Sequence, residues 1–522
     1  MPVEITTTHE VGERLSRIIQ ASQMSRSVRA CLLATRDREH ALNVVKEASF
    51  RLSCPLYQFN VAERRRFQRE QLGWETIGGE TPDPAVLFRS AAELRGGGVV
   101  VLEDCAAFLR DDGGDRRVRM ALSQMLACES AREGLVLVLL EPPEGERCLP
   151  SILADQFVRL DIPYPRAAEL ESIAREEVDL AARRAGRPLE VEIVRSEAGK
   201  LALGLSGLTR SAARDALRDA LAPNPLDFRQ AMERLQRRKS EQLRRELAMN
   251  ILDSAEVEMP IGLDNLMRYL QVHRDKMRIS GPGRARGILL VGPPGTGKTM
   301  LARAIGSITG LPVVEFRISS LMNSLLGETE RRFAQAFATL EAMSPNLVFI
   351  DEIEKAFGDS TERDGGTMMR CTGSLLSWLS DNPYPNYVVG TCNNLSRMGE
   401  VGLTMTRSER FDTCFFVDVP SAESRIQMLK RWLTGQLESV EEAAIELSEL
   451  TDKFSGADLR SAVKQAIARA QYERVPLSMP ILRDEVERKK LRAYALYDEF
   501  AELRRWGRMF CEPAGPVDRH GG

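Results

Sequence analysis

Gly292-Pro293-Pro294-Gly295-Thr296-Gly297-Lys298-Thr299 decides how the rest of this chain is read. It follows an apolar run, Gly287-Ile288-Leu289-Leu290-Val291, and precedes a helical pattern that opens Met300-Leu301-Ala302-Arg303. Strand, glycine loop and helix is the context in which G-x-x-x-x-G-K-[ST] means a phosphate-binding loop rather than a chance glycine-rich turn. Glycines let backbone N–H groups turn inward around phosphate oxygens, and the new helix points its positive end at the same anion. In that setting Lys298 can reach the β- and γ-phosphates of a nucleoside triphosphate, and the Thr299 hydroxyl can ligate Mg²⁺.

Working outward, Leu347-Val348-Phe349-Ile350 reads as a buried strand that ends in Asp351-Glu352. Ligands of open parallel sheets bind at the carboxyl ends of strands. Asp351 there is expected to hold Mg²⁺ through water, and Glu352 to polarise an attacking water. A further strand, Tyr387 to Cys392, ends in Asn393, placed to orient that water or touch the γ-phosphate. Arg407 and Arg410, just before the last strand, suit a charge-stabilising role. Acting on a neighbouring subunit's nucleotide, they would imply a head-to-tail ring.

Composition narrows the field. The 522 residues are 43% hydrophobic and 28% charged, with a net charge of −3, so a globular chain is expected and nothing global favours nucleic acid. Local basic clusters at Arg64-Arg65-Arg66 and between Arg234 and Arg245 read first as solvated faces. Nine cysteines without a C-x-x-C pair, and four scattered histidines, show no zinc spacing. Free thiols in a reducing compartment are the simplest account. The longest apolar runs are strand-length and there is no signal peptide, so the expectation is a cytoplasmic or organelle-matrix protein that does not engage a membrane.

The first half repeats the grammar of the second. Ala30 to Thr35 lines up with Gly287 to Gly292, Leu56 to Val61 with Val313 to Ile318, Val99 to Asp104 with Leu347 to Glu352, and Phe157 to Pro163 with Phe415 to Pro420. Leu205-Ser206-Gly207-Leu208 falls where Phe454-Ser455-Gly456-Ala457 falls. Order and spacing argue for two related modules. Where the second has its glycine loop, the first has Thr35-Arg36-Asp37-Arg38-Glu39-His40. With no glycine, no loop lysine and two acids, that module is expected to keep the fold and bind no nucleotide.

At these residues the chain resembles the AAA clade of AAA+ ATPases. The pieces that carry the likeness are the G-P-P-G-T-G-K-T loop, Ile350-Asp351-Glu352-Ile353-Glu354, Asn393, the pair Arg407 and Arg410, and Phe454-Ser455-Gly456-Ala457-Asp458-Leu459. Gly262-Leu263-Asp264-Asn265-Leu266, Arg286 to Val291 and Gly373 to Ser380 look like the ycf-type AAA family of plastids and cyanobacteria, which also carries an N-terminal region without a phosphate loop. The resemblance implies an ATP-binding α/β domain with a helical lid, assembled as a ring of six. It implies that Gly292 to Thr299 and Met300 contact the nucleotide. Ile261 and Gly262 would back the adenine, Gly456 and Ala457 would close over the base, and Arg370 would lie at the subunit interface. In the pore loop, Leu325 and Leu326 replace the usual aromatic residue, which weakens the case for threading an unfolded chain. No H-E-x-x-H follows the lid, so a fused metalloprotease is excluded.

The expected organisation is α/β, with two tandem modules each carrying a small helical lid. An extension covers 1–28, a degenerate α/β domain 29–165 and its lid-like helices 166–235. A linker helix covers 236–254, the nucleotide domain 255–420, its lid 421–475 and a helical tail 476–522. Three functions stay open: a ring-forming ATPase that remodels a protein partner, a nucleotide-switched scaffold with slow hydrolysis, and, more distantly, a nucleic-acid motor.

Overall fold

The computed structural model describes residues 8–516 except 61, 69–72, 80–82, 95–96, 104, 110–113, 128–133, 143–148, 150, 253–256, 323–327, 358–366 and 394–409. The chain divides into two compact units, Met1–Leu235 and Gln236–Gly522. No helix among the described residues is long and apolar enough to cross a membrane.

The first unit holds strands β1 (Val28–Ala34), β2 (Leu56–Phe59), β3 (Arg64–Gln68), β4 (Gly73–Gly78), β5 (Gly98–Glu103), β6 (Leu135–Glu141) and β7 (Phe157–Asp161), in the sheet order β4-β3-β2-β5-β6-β1-β7. The second holds β8 (Met249–Leu252), β9 (Gly287–Val291), β10 (Val313–Phe316), β11 (Asn346–Ile350), β12 (Asn386–Cys392), β13 (Thr413–Phe416) and β14 (Glu512–Pro513), ordered β14-β13-β9-β12-β11-β10-β8. Leaving aside the short parallel edge strand β14 and numbering the other parallel strands of each unit by their place in the chain, both sheets read 2-3-4-1-5: β2-β5-β6-β1-β7 and β10-β11-β12-β9-β13. The repeat seen in the sequence is therefore a repeat of topology.

Parallel strands are covered on both faces, which is why β5, β6 and β9 read as unbroken apolar runs. In the first unit Leu32, Val100 and Leu137 pack under the helices Pro84–Ala92 and Arg116–Leu126, while Leu33, Val101 and Val138 pack against Thr8–Ser25 and Arg38–Arg51. Leu289 and Val291 face one side of the second sheet and Ile288 and Leu290 the other. Each unit also has a helical bundle with its own core, built on Leu170, Val178 and Leu217 in the first and on Leu433, Leu447 and Leu459 in the second.

Several expectations change. The opening segment is more than a polar extension: Thr8–Ser25 buries Val11, Leu15 and Ile19, a four-residue repeat too narrow to stand out in a charged stretch. The basic run Arg64 to Arg66 is β3 of an antiparallel hairpin, held by Phe67 wedged between Phe50 and Trp74 at ring distances of 5.4 and 5.1 Å. The expected linker helix over 236–254 ends at Leu247, and β8 then pairs antiparallel with β10. The second bundle runs beyond 475, because Leu482 and Val486 of Met479–Glu499 join the core of Leu429 and Leu459.

The expected helical tail over 476–522 is also not helical throughout its described residues. After the helix Ala501–Phe510, β14 joins the edge of β13, and Ala514 exchanges backbone hydrogen bonds with Phe416 and Leu266 at 3.0 Å each. Gly507 lies on the Phe416 ring, where an added Cβ would come within 2.1 Å of a ring carbon. Cys414 and Cys511 form a disulfide across 97 residues, so the expectation that all thiols are free is corrected. No local spacing could reveal that pair; it follows from β14 folding back beside β13. Cys31, Cys54, Cys105, Cys371 and Cys392 are buried.

Candidate active site

The phosphate loop leaves the buried strand β9 and turns through Gly295 at φ +83° and Gly297 at φ +90°, a region that side chains disfavour. The helix Lys298–Thr309 begins at Gly297 without a side-chain cap, so its first amides are not satisfied by a capping side chain of the chain itself. Lys298 is buried, and its Nζ donates to the Gly292 and Pro293 carbonyls at 2.8 Å each. Burial pushes its ammonium down to about 8. An anion in the loop would offset that desolvation. Thr296 donates to the Pro293 carbonyl at 3.0 Å, and Met300 is partly exposed on the first helical turn.

The strand-end carboxylates converge on this loop. Thr299 Oγ1 donates to Asp351 Oδ2 at 3.3 Å. The other oxygen of Asp351 accepts from the Thr391 hydroxyl at 2.6 Å, and the same hydroxyl accepts the Glu352 N–H at 2.8 Å. Glu352 stands at φ +50°, and its carboxylate accepts from Asn393 Nδ2 at 3.3 Å and pairs with Lys355. The Asn393 N–H donates to the buried Glu354 at 2.9 Å, while Asn393 Oδ1 is buried without a hydrogen-bond partner among the described residues. Asp351, Glu352 and Asn393, read from the sequence as one group, thus lie together. Thr391 went unnoticed; its only signal was a hydroxyl near the end of a largely apolar strand.

The helical bundle closes on the loop from the other side. The helix Gly456–Glu473 is capped by Ser455, whose side chain accepts the Asp458 N–H at 3.2 Å, and Ala457 N–H donates to the Gly295 carbonyl at 3.1 Å. Gly456 and Ala457 therefore sit beside the phosphate loop. Gly262, at φ +76°, leaves no room: an added Cβ would come within 2.1 Å of Ser424 Oγ, and its carbonyl lies 2.0 Å from where a Cβ on Gly515 would stand. Ile261 beside it is half-buried. The chain end is thus a neighbour of the segment expected to back the adenine, which sequence reading missed.

The remaining expected residues are less gathered. Arg410 is partly buried at the entry to β13, next to the buried Phe411 and to Asp412, which accepts the Arg286 and Gly287 N–H groups at 2.8 and 3.2 Å. Arg370 is exposed on Thr367–Asp381 and pairs with Glu330. Arg407, Leu325 and Leu326 lie outside the described residues.

The first unit offers an instructive counterpart. Its β1 leads through Thr35 and Asp37 into Arg38–Arg51, and Asp37 caps that helix by accepting the His40 N–H at 3.1 Å. The same carboxylate accepts the Ser211 N–H at 3.0 Å and the Ser211 hydroxyl at 2.6 Å. Ser211 is the second residue of Arg210–Leu221, as Ala457 is of Gly456–Glu473. The capping residues Thr209 and Ser455 therefore correspond. The match made from sequence at Ser206-Gly207 is offset by three residues, because Leu205 still belongs to the preceding helix Val191–Leu205. Glu103, in the place of Asp351, is buried and accepts from Gln58 at 3.0 Å.

Residues 288–419 match the family described as ATPase family associated with various cellular activities (AAA). That match lies wholly within the second unit, which is therefore similar to the AAA family. It is 34% identical over 220 residues to the AAA domain-containing protein ycf46 of Trieres chinensis, covering 40% of this chain and 43% of that protein. It is 32% identical over 252 residues to ycf46 of Pyropia yezoensis, covering 47% and 51%. The ribosome biogenesis ATPase RIX7 of Saccharomyces cerevisiae is 29% identical over 225 residues, covering 39% of this chain and 26% of that protein. The chain thus spans about half the length of the ycf46 proteins it matches.

Proposed function

We propose that this AAA protein is a Mg²⁺-dependent ATPase that works as a ring, six subunits by resemblance, to remodel a protein partner. The observation that carries the reading is the convergence of Thr299, Asp351, Glu352 and Asn393 on the mouth of an uncapped glycine loop. Hydroxyl and carboxylate oxygens 3.3 Å apart suit Mg²⁺, which takes few protein ligands and draws the rest from water and phosphate. When bound, Mg²⁺ would neutralise charge on the phosphate oxygens. Gly292 to Gly297 would wrap the phosphates with backbone N–H groups, and Lys298 would release its two loop carbonyls to meet them. Glu352, oriented by Asn393, would accept a proton from the attacking water. Arg407 and Arg410 would act on the next subunit's nucleotide, with Arg370 at the same interface. Leu325 and Leu326 would contact the partner.

Turnover of Mg·ATP by the purified chain and by Glu352→Gln tests this. The variant is expected to bind ATP and lose turnover by about 10²–10⁴-fold; full turnover would remove Glu352 from its role. A second reading, the nucleotide-switched scaffold, draws on the Lys355 ion pair that occupies Glu352 and would slow hydrolysis. Changing Leu325 and Leu326 together to Ser separates the two, since only remodelling needs a gripping loop.

A further inference from the structure

Thr391 has no exposed surface, and a hydroxyl buried in a parallel strand is costly unless it is hydrogen-bonded. Its partners are unusual. Register pairs Ile350 of β11 with Gly390 of β12, so Thr391 comes level with Asp351, the first residue past the strand. There it accepts the Glu352 N–H at 2.8 Å and donates to Asp351 Oδ1 at 2.6 Å. One hydroxyl thus ties the backbone of one acid to the side chain of the other.

Both ties bear on orientation. With Oδ1 engaged, Asp351 presents Oδ2 to the Thr299 hydroxyl. Glu352 at φ +50° is in a left-handed conformation that non-glycine residues disfavour, and its amide bond to Thr391 opposes relaxation. Asn393, two residues further on and just past the end of β12, then meets the Glu352 carboxylate.

We infer that Thr391 is a positioning residue for ATP hydrolysis, setting which oxygen of Asp351 faces Thr299 and where the Glu352 carboxylate points. The inference rests on the ATPase reading above. Thr391 keeps its proton throughout and touches neither nucleotide nor water; its effect passes through the two acids.

Full-length Thr391→Val and Thr391→Ser are compared with the native chain. Val keeps the shape and removes the hydroxyl, while Ser restores it. Thr391→Val is expected to lower kcat by about 10–100-fold, with KM for ATP within about threefold. Thr391→Ser should recover kcat to within about threefold. In the nucleotide-free protein the Glu352 amide should exchange its hydrogen about tenfold faster in Thr391→Val and at the native rate in Thr391→Ser. Native kcat in Thr391→Val, an equal loss in both variants, or a change confined to KM would each overturn the inference. If the native chain hydrolyses no ATP, the ATPase reading fails and amide exchange alone decides whether Thr391 holds Glu352; unchanged exchange overturns that too.

Discussion

The two units solve the same end-of-strand problem in opposite ways. In each, the first parallel strand runs into a helix, and the second residue of a bundle helix donates its N–H to the connecting turn. In the second unit Ala457 N–H meets a backbone carbonyl, that of Gly295, and the helix Lys298–Thr309 has no side-chain cap. In the first unit Ser211 N–H meets a carboxylate, that of Asp37, which also caps the following helix. Asp37 is an internal anion standing where, on the proposed reading, the second unit would hold an external one. A helix start attracts negative charge whether it comes from a ligand or from the chain. Supplying it covalently keeps the fold and removes the need for nucleotide.

The sharpest break of this comparison is Lys298→Ala. If the second unit holds the working site, nucleotide binding should fall from one per chain to none, read by equilibrium dialysis with ATP. Two nucleotides bound to the native chain would show that Asp37 does not close the first unit.

Gly295→Ala comes next. It puts a Cβ at φ +83° and 2.9 Å from Ser455 Oγ, so the turn and its contact with the bundle must shift. ATP affinity should fall at least about tenfold, from about 1–2 kcal/mol of backbone cost together with displaced amides.

Asp37→Ala tests the internal anion. It removes three hydrogen bonds to a carboxylate and should destabilise the first unit by about 2 kcal/mol, read by urea unfolding. It should create no nucleotide site, because no glycine loop replaces the aspartate.

Acid titration of the first unit gives a smaller effect of defined sign. His40 is pushed down to about 4 by burial first, with Arg210 and Arg214 adding to the shift and Asp37 and Glu169 opposing it. The unfolded histidine takes up a proton near pH 6.5 while the folded one does not, so stability should fall as pH drops from about 6.5 toward 4. Burial alone would raise the Asp37 carboxyl, but hydrogen bonds from Ser211 and His40 leave it below its ordinary value. Its contribution is present above about pH 4 and is lost below that. His40→Gln should flatten the upper part of this profile.

The smallest expected effect is at the chain end. Cys414→Ser should leave nucleotide stoichiometry at one per chain and free one more thiol to alkylation under denaturing, non-reducing conditions, counted by mass spectrometry.

Much of this was legible in the residues alone. Unbroken apolar runs such as Val99 to Leu102 and Gly287 to Val291 mark buried parallel strands, and the G-K-T loop names its chemistry because phosphate binding needs backbone that only glycine supplies. The strands that escaped notice were β3, β4, β8 and β14. β4, β8 and β14 sit at sheet edges and β3 lies one strand in, between β4 and β2; on these outer strands polar residues such as Arg64 to Arg66 satisfy the pairing as well as apolar ones. Thr391 escaped for another reason: its partners lie 39 and 40 residues away and become neighbours only through the β11–β12 register.

By itself, then, the sequence determined the two parallel sheets, the chemistry of the glycine loop and its absence from the first unit, because each depends on residue types acting locally. Tertiary structure alone decided that Asp37 meets Ser211, that Thr391 ties Asp351 to Glu352, and that Cys511 returns to Cys414. Those contacts join positions far apart in the chain, and only the register and packing of the folded units bring them within bonding distance.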